Sequence, residues 1–192
     1  MDESYLTAVY IYMHFETAYK YILPLASFCH RTIVGDPMIL CTECFIQKDG
    51  KTLMLHRNKK ENDINQGKWI GLGGKFDSGE SPEQCLVREV KEEAGVILTK
   101  FRLRGVLTFL TTDGAVEPMY IFVYIATEYV GEIGDCSEGT LQWVDTEKIF
   151  DLNLWEGDRI FWGWLQNDER FFSARFLYEG DKLVNHDVTF YP

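Results

Sequence analysis

The stretch GKFDSGESPEQCLVREVKEEAGV, residues 74–96, decides the fold. Ser81 is a good helix N-cap, Pro82 suits the first helical position, and Gln84 completes a capping box three residues on. Gly95 supplies the stop. The helix this predicts over 81–94 carries Leu86, Val90 and Ala94 on one face at i, i+4 spacing, ready to pack on a sheet. Glu89, Glu92 and Glu93 stand at i, i+3 and i+4, a fan of roughly 100° on one side. Like charges at these spacings repel by about a few tenths of a kcal/mol per pair. They form either a solvated acidic face, relieved by Arg88 and Lys91, or a cation site. The preceding loop favours the second. Gly71, Gly73, Gly74 and Gly79 crowd between an apolar strand-like segment and the capped helix, so backbone carbonyls and amides can approach the carboxylates closely. Oxygen-only ligation of this kind suits a hard divalent cation such as Mg²⁺, which often bridges to substrate phosphates. No Gly-Lys-Ser/Thr sequence follows at the spacing of a Walker-type phosphate loop.

Working outward, Ile39 to Gln47 reads as a strand, Lys48-Asp49-Gly50-Lys51 as a tight turn, and Thr52 to Arg57 as the returning strand. A polar stretch from Asn58 to Gly67 loops out. Beyond the helix, Arg102–Thr111, Met119–Tyr129 and Leu141–Val144 read as strands and Asp158–Leu165 as a second helix. Phe171–Tyr178 and Lys182–Tyr191 form a closing hairpin around Glu179-Gly180-Asp181. Mixed strands with two helices on the faces predict an α/β fold, an α/β/α sandwich with a mixed β-sheet.

The 192 residues suit one domain over 38–192, with residues 1–37 as an N-terminal extension of unassigned role. The formal net charge of −11 argues against a partner as polyanionic as long DNA or RNA, which calls for a basic face. The five cysteines have no disulfide-framework spacing, which favours a reducing cytoplasm. Cys41-Thr42-Glu43-Cys44 spells C-x-x-C without a second pair, and reads as small apolar residues in a strand. Tyr5 to Cys29 is interrupted by His14, Glu16 and Lys20, too often for a membrane span. Asp2 and Glu3 stand where a secretory signal has basic residues. We read an amphipathic segment, broken at Pro24, that docks on the body or on a partner chain.

Gly74-x5-Glu80-x7-Arg88-Glu89-Val90-x-Glu92-Glu93-x-Gly95-Val96 matches every fixed position of the Nudix box, and the chain resembles that family of hydrolases. The resemblance implies a Mg²⁺- or Mn²⁺-dependent pyrophosphohydrolase acting on a nucleoside diphosphate derivative. Carried over by position, Glu89, Glu92 and Glu93 are metal ligands with the carbonyl of Gly73, and Arg88 pairs with Glu80 to hold the loop on the helix. From about Met38 onward the chain is similar to the MutT-like branch that hydrolyses oxidised purine nucleoside triphosphates, especially 8-oxo-dGTP. This likeness runs through Lys68–Lys75, Ser137-Glu138 before Trp143, Leu154–Asp158, and Phe171–Gly180. It implies Glu138 as a metal ligand or general base. It places Thr42 and Arg57, with the loop residues Gly73, Gly74 and Lys75, against the nucleotide.

Trp155 and Asp158, three apart at a helix entrance, offer one purine a flat apolar surface and an acceptor. Phe109 and Met119, on strands, line the same pocket or serve as plain core. Two positions depart from the animal relatives: Ile70 replaces a base-reading asparagine, and Gly157 replaces one of two adjacent acidic residues. The expected reaction is metal-assisted attack of water on a nucleoside triphosphate, giving the monophosphate and pyrophosphate, by a monomer or homodimer that needs no membrane. The alternatives are another Nudix substrate (a nucleotide sugar, a dinucleoside polyphosphate or a capped RNA end) or a non-catalytic ligand sensor.

Overall fold

The computed structural model describes residues 38–61 and 63–192. The amphipathic segment read between Tyr5 and Cys29 lies outside them.

The chain opens with β1 (Ile39–Lys48) and β2 (Lys51–His56), joined by the two-residue turn Asp49-Gly50. Both turn residues have positive φ, 51° and 73°, as a type I′ hairpin requires. A short β3 (Trp69–Ile70) pairs with β2 and leads into the glycine loop. The helix α1 (Pro82–Ala94) has the anticipated ends. The Ser81 side chain accepts from the Gln84 amide, the Gln84 side chain accepts from the Ser81 amide, and Gly95 closes it at φ 75°. A cap of this type is worth about 1 kcal/mol. Leu86, Val90 and Ala94 are fully buried, so the i, i+4 face meets the sheet as its spacing requires.

Then follow β4 (Ile97–Thr111), β5 (Met119–Val130), β6 (Thr140–Asp145), a 3-10 turn (Thr146–Asp151), α2 (Glu156–Asn167), β7 (Phe171–Glu179) and β8 (Lys182–Tyr191). The sheet order is β3-β2-β1-β5-β4-β7-β8, with β6 on β2. The β1–β5 and β4–β7 pairs are parallel and the others antiparallel, so the sheet is mixed. Strand β4 begins five residues before the predicted Arg102, because Ile97 to Lys100 pair with the end of β5 despite their polar alternation. The second helix begins two residues earlier than predicted, at Glu156, with Trp155 as N-cap.

Each face of the sheet carries its own core. Cys44, Ile46, Leu86, Val90, Ala94 and Tyr124 pack under α1. Phe45, Leu107, Val123, Phe161, Trp162, Phe172 and Phe176 pack under α2. The α/β/α sandwich is thus the observed architecture. The side chains of β1, a central strand, alternate between these two cores, which sets up the site.

Candidate active site

The glycine loop runs antiparallel beside β1: the Thr42 amide donates to the Gly74 carbonyl at 2.9 Å, and the Cys44 and Leu72 backbones bond each other at 2.6 and 2.9 Å. Gly73 has φ 146°, and a Cβ there would overlap the Thr42 carbonyl. At Gly74 a Cβ would come within 2.5 Å of the Glu89 carboxylate. At Gly73, where the obstacle is backbone, only glycine allows the approach. The loop is pinned to α1 by a fork: Arg88 Nε and Nη2 donate to the two Glu80 oxygens at 2.7 and 2.9 Å, and Nη2 also donates to the Lys75 carbonyl at 3.0 Å. The guanidinium beside it holds the Glu80 carboxyl down at about 2. The pairing implied for Arg88 and Glu80 is the one observed.

The three box carboxylates do not share one environment. Glu93 is buried and accepts from the Gly73 amide at 2.8 Å. Glu89 lies against Gly74 and accepts from Arg88 Nη1 at 2.7 Å. Glu92 is exposed, and its carboxylate lies 3.4 Å from the same Arg88 Nη1 that bonds Glu89. Among the described residues, no three acidic, histidine or cysteine side chains converge in ligand geometry. The donor chemistry of the loop–helix corner nevertheless fits a hard divalent cation. Its groups are oxygens, the loop backbone lies against Glu89, and burial pushes the Glu93 carboxyl up to about 8, with the charges of Glu138 and Glu89 adding to the shift.

Glu138 is bonded by Arg57 Nη1 and by Lys60 Nζ. Arg57 also donates from Nε to Asp63 at 2.7 Å. Two cations thus hold Glu138 in its charged form, below the usual carboxylate range. These groups edge a cavity of about 580 Å³ that runs from the loop–helix corner to the entrance of α2. Gly73, Gly74, Lys75, Glu89, Arg57 and Glu138 line one end, and Phe109, Met119, Trp155 and Asp158 line the other. Phe109 and Met119 are register partners on β4 and β5, and both face the cavity. Thr42 lines it too, but its hydroxyl lies 3.6 Å from Cys85 Sγ, on the α1 side. The Trp155 ring is fixed by an Nε1–H bond to Asn65 Oδ1 at 2.9 Å, by Lys68 Nζ 4.6 Å above it and by edge contact with Tyr178.

The two departures have physical explanations. Gly157 has no space for a side chain: a Cβ would come within 2.7 Å of the Tyr178 hydroxyl, which accepts the Gly157 amide at 2.8 Å. Ile70 presents an apolar wall to the cavity. Sequence reasoning missed Glu43, Asp63 and Asn65, which also line it. For Glu43 a signal existed, a carboxylate in the middle of an apolar strand. Asp63 and Asn65 sit in a loop and carried none. Cys41, Cys44, Cys85 and Cys136 are free thiols, and burial pushes the Cys41 thiol up to about 11, as the reading of the C-x-x-C as strand packing requires.

A glycine loop clasped to a carboxylate helix thus opens on a cavity whose far end is aromatic. The NUDIX domain family matches residues 42–165. The chain is 32% identical over 140 residues to the Nudix hydrolase YvcI of Bacillus subtilis, covering 71% of this chain and 85% of that protein. It is 32% identical over 150 residues to the oxidized purine nucleoside triphosphate hydrolase of Danio rerio, covering 78% and 93%. Among solved structures, a MutT protein from Bacillus halodurans superposes with a TM-score of 0.71 at 25% identity, covering 78% of this chain and 97% of that one. The chain belongs to the Nudix hydrolase family. Enzymes of this family act on small nucleotide substrates and generally use divalent metal ions. No helix among the described residues is long and apolar enough to cross a membrane.

Proposed function

We propose that the protein hydrolyses purine nucleoside triphosphates, oxidised purines such as 8-oxo-dGTP included, to the monophosphate and pyrophosphate with Mg²⁺ or Mn²⁺. The observation that carries this reading is the continuous cavity that joins Gly73, Gly74 and Glu89 to Trp155 and Asp158 at the entrance of α2. The name of the Danio rerio relative, which shares most of its length with this chain, agrees with it. We take residues 38–192 as the catalytic unit and residues 1–37 as an extension, in a cytoplasmic enzyme whose free thiols suit a reducing compartment.

In this reading a purine lies against Trp155, where stacking of a base on an aromatic ring is worth about 1–3 kcal/mol. The triphosphate points to the other end, where Arg57, Lys60 and Lys75 offset part of the protein's negative field. Glu89, Glu92, Glu93 and Glu138 with the Gly73 carbonyl would hold the divalent cation. When bound, it neutralises phosphate oxygens and acidifies water. Gly73 and Gly74 keep the loop close enough to β1 and α1 for its backbone to reach that corner. Water adds to phosphorus, the bridging P–O bond breaks towards the leaving group, and the water proton passes to a carboxylate of the site.

Steady-state kinetics over 8-oxo-dGTP, dGTP, a dinucleoside polyphosphate and ADP-ribose, with Mg²⁺ and Mn²⁺ in turn, tests the reading. It expects the highest kcat/KM for 8-oxo-dGTP. No advantage over dGTP and ADP-ribose would refute it.

A further inference from the structure

Along β1, Cys44 and Ile46 enter the core under α1, whereas Phe45 enters the core under α2. Glu43 shares the Phe45 face, so a carboxylate occupies a core-facing position on a central strand paired on both sides. Such a position is costly unless the group has work to do there. The Gly71 amide donates to Glu43 Oε1 at 3.0 Å. The stem of Glu43 packs so closely on Gly71 that a Cβ there would come within 2.8 Å of it.

Asp158, in the first turn of α2, lines the same cavity. Among the described residues neither carboxylate belongs to an ion pair. Nearby, Asn65 Oδ1 accepts from Trp155, the Tyr178 hydroxyl accepts from Gly157, and Ile70 offers no polar atom. Burial pushes the Glu43 carboxyl up to about 7. Burial and the nearby Glu43 charge raise Asp158 well above the carboxylate range, against the opposing Trp155 backbone and Lys68. Two carboxyls confined together resist ionising together, so one keeps its proton.

We propose that Glu43 and Asp158 act as a pair that reads the base, presenting one donor and one acceptor side by side to a heterocycle whose edge places an N–H next to a C=O or a ring nitrogen, as the Watson–Crick edge of a purine does. This assignment rests on the nucleotide reading above. It makes Glu43 a specificity-determining residue that the Nudix box does not contain.

Calorimetric binding of 8-oxo-dGMP and 2-deoxyribose 5-phosphate, with KM and kcat for 8-oxo-dGTP, tests the pair in the wild type, Glu43→Leu and Glu43→Gln, each checked for folding by its melting transition. Glu43→Leu is expected to weaken 8-oxo-dGMP binding by about tenfold or more, the scale of one charged hydrogen bond, with no comparable loss for 2-deoxyribose 5-phosphate, which has no base. KM is expected to rise more than kcat falls. Glu43→Gln, which keeps a donor and an acceptor, is expected to bind within about threefold of the wild type. A Leu variant that binds like the wild type overturns the pair, and so does a folded Gln variant as impaired as Leu. Glu43-dependent binding of 8-oxo-dGMP by a wild type that hydrolyses no nucleoside triphosphate refutes the functional reading and leaves the pair standing.

Discussion

Gly73 shows how tightly single residues define this site. Its φ of 146° and its contact with the Thr42 carbonyl leave no room for a methyl group. Gly73→Ala is expected to cost about 2 kcal/mol or more of stability, read by urea unfolding, because the obstacle is backbone and cannot step aside. Glu93 carries a second prediction. Its carboxyl is raised from 4.5 to about 8. Between those pH values the folded protein holds a proton that the unfolded chain has released, so stability falls as pH rises through the window. In metal-free buffer the melting temperature should drop from pH 6 to pH 8. Glu93→Gln should shrink that drop, and an equal drop in both proteins would contradict the assignment. Glu43 and Asp158, raised in the same direction, add to the drop that remains.

The helix α1 and its loop show what local sequence can specify. The capping box, Pro82 and Gly95 lie within one segment and name its ends, and the buried Leu86–Val90–Ala94 face follows from their spacing. The Arg88–Glu80 fork was legible because the two residues sit eight apart across a single loop. The unequal fates of Glu89, Glu92 and Glu93 were not, since the helical fan is about as wide as the boundary between sheet and solvent. Only the docking angle of α1 buries Glu93 and leaves Glu92 exposed. Because the fork holds Lys75 and the glycine loop against α1, Arg88→Ala should raise the Mg²⁺ concentration needed for half-maximal turnover by about tenfold. Arg88→Lys, which keeps the charge and loses the fork, should resemble Ala. A Mg²⁺ titration of turnover checks both.

Across the whole molecule, the sandwich was legible because strand and helix periods differ clearly, and because two amphipathic helices need two sheet faces. What escaped the sequence depends on register between distant segments. Arg57 meets Glu138 across 81 positions and Trp155 meets Asn65 across 90. Glu43 belongs to the cavity only because β1 is central and alternates between the two cores. The net charge of −11 also becomes specific at this scale. Part of it is gathered as Glu89 and Glu138 at one end of the cavity, and as Glu43 and Asp158 within it.

The claim on which the account stands is that the corner between the glycine loop and α1 performs the chemistry. Its most direct test is the turnover number of Glu93→Gln for 8-oxo-dGTP at saturating Mg²⁺, alongside its circular dichroism. Turnover is expected to fall at least about a hundredfold with the folded spectrum retained. A folded variant with near-wild-type turnover would contradict it.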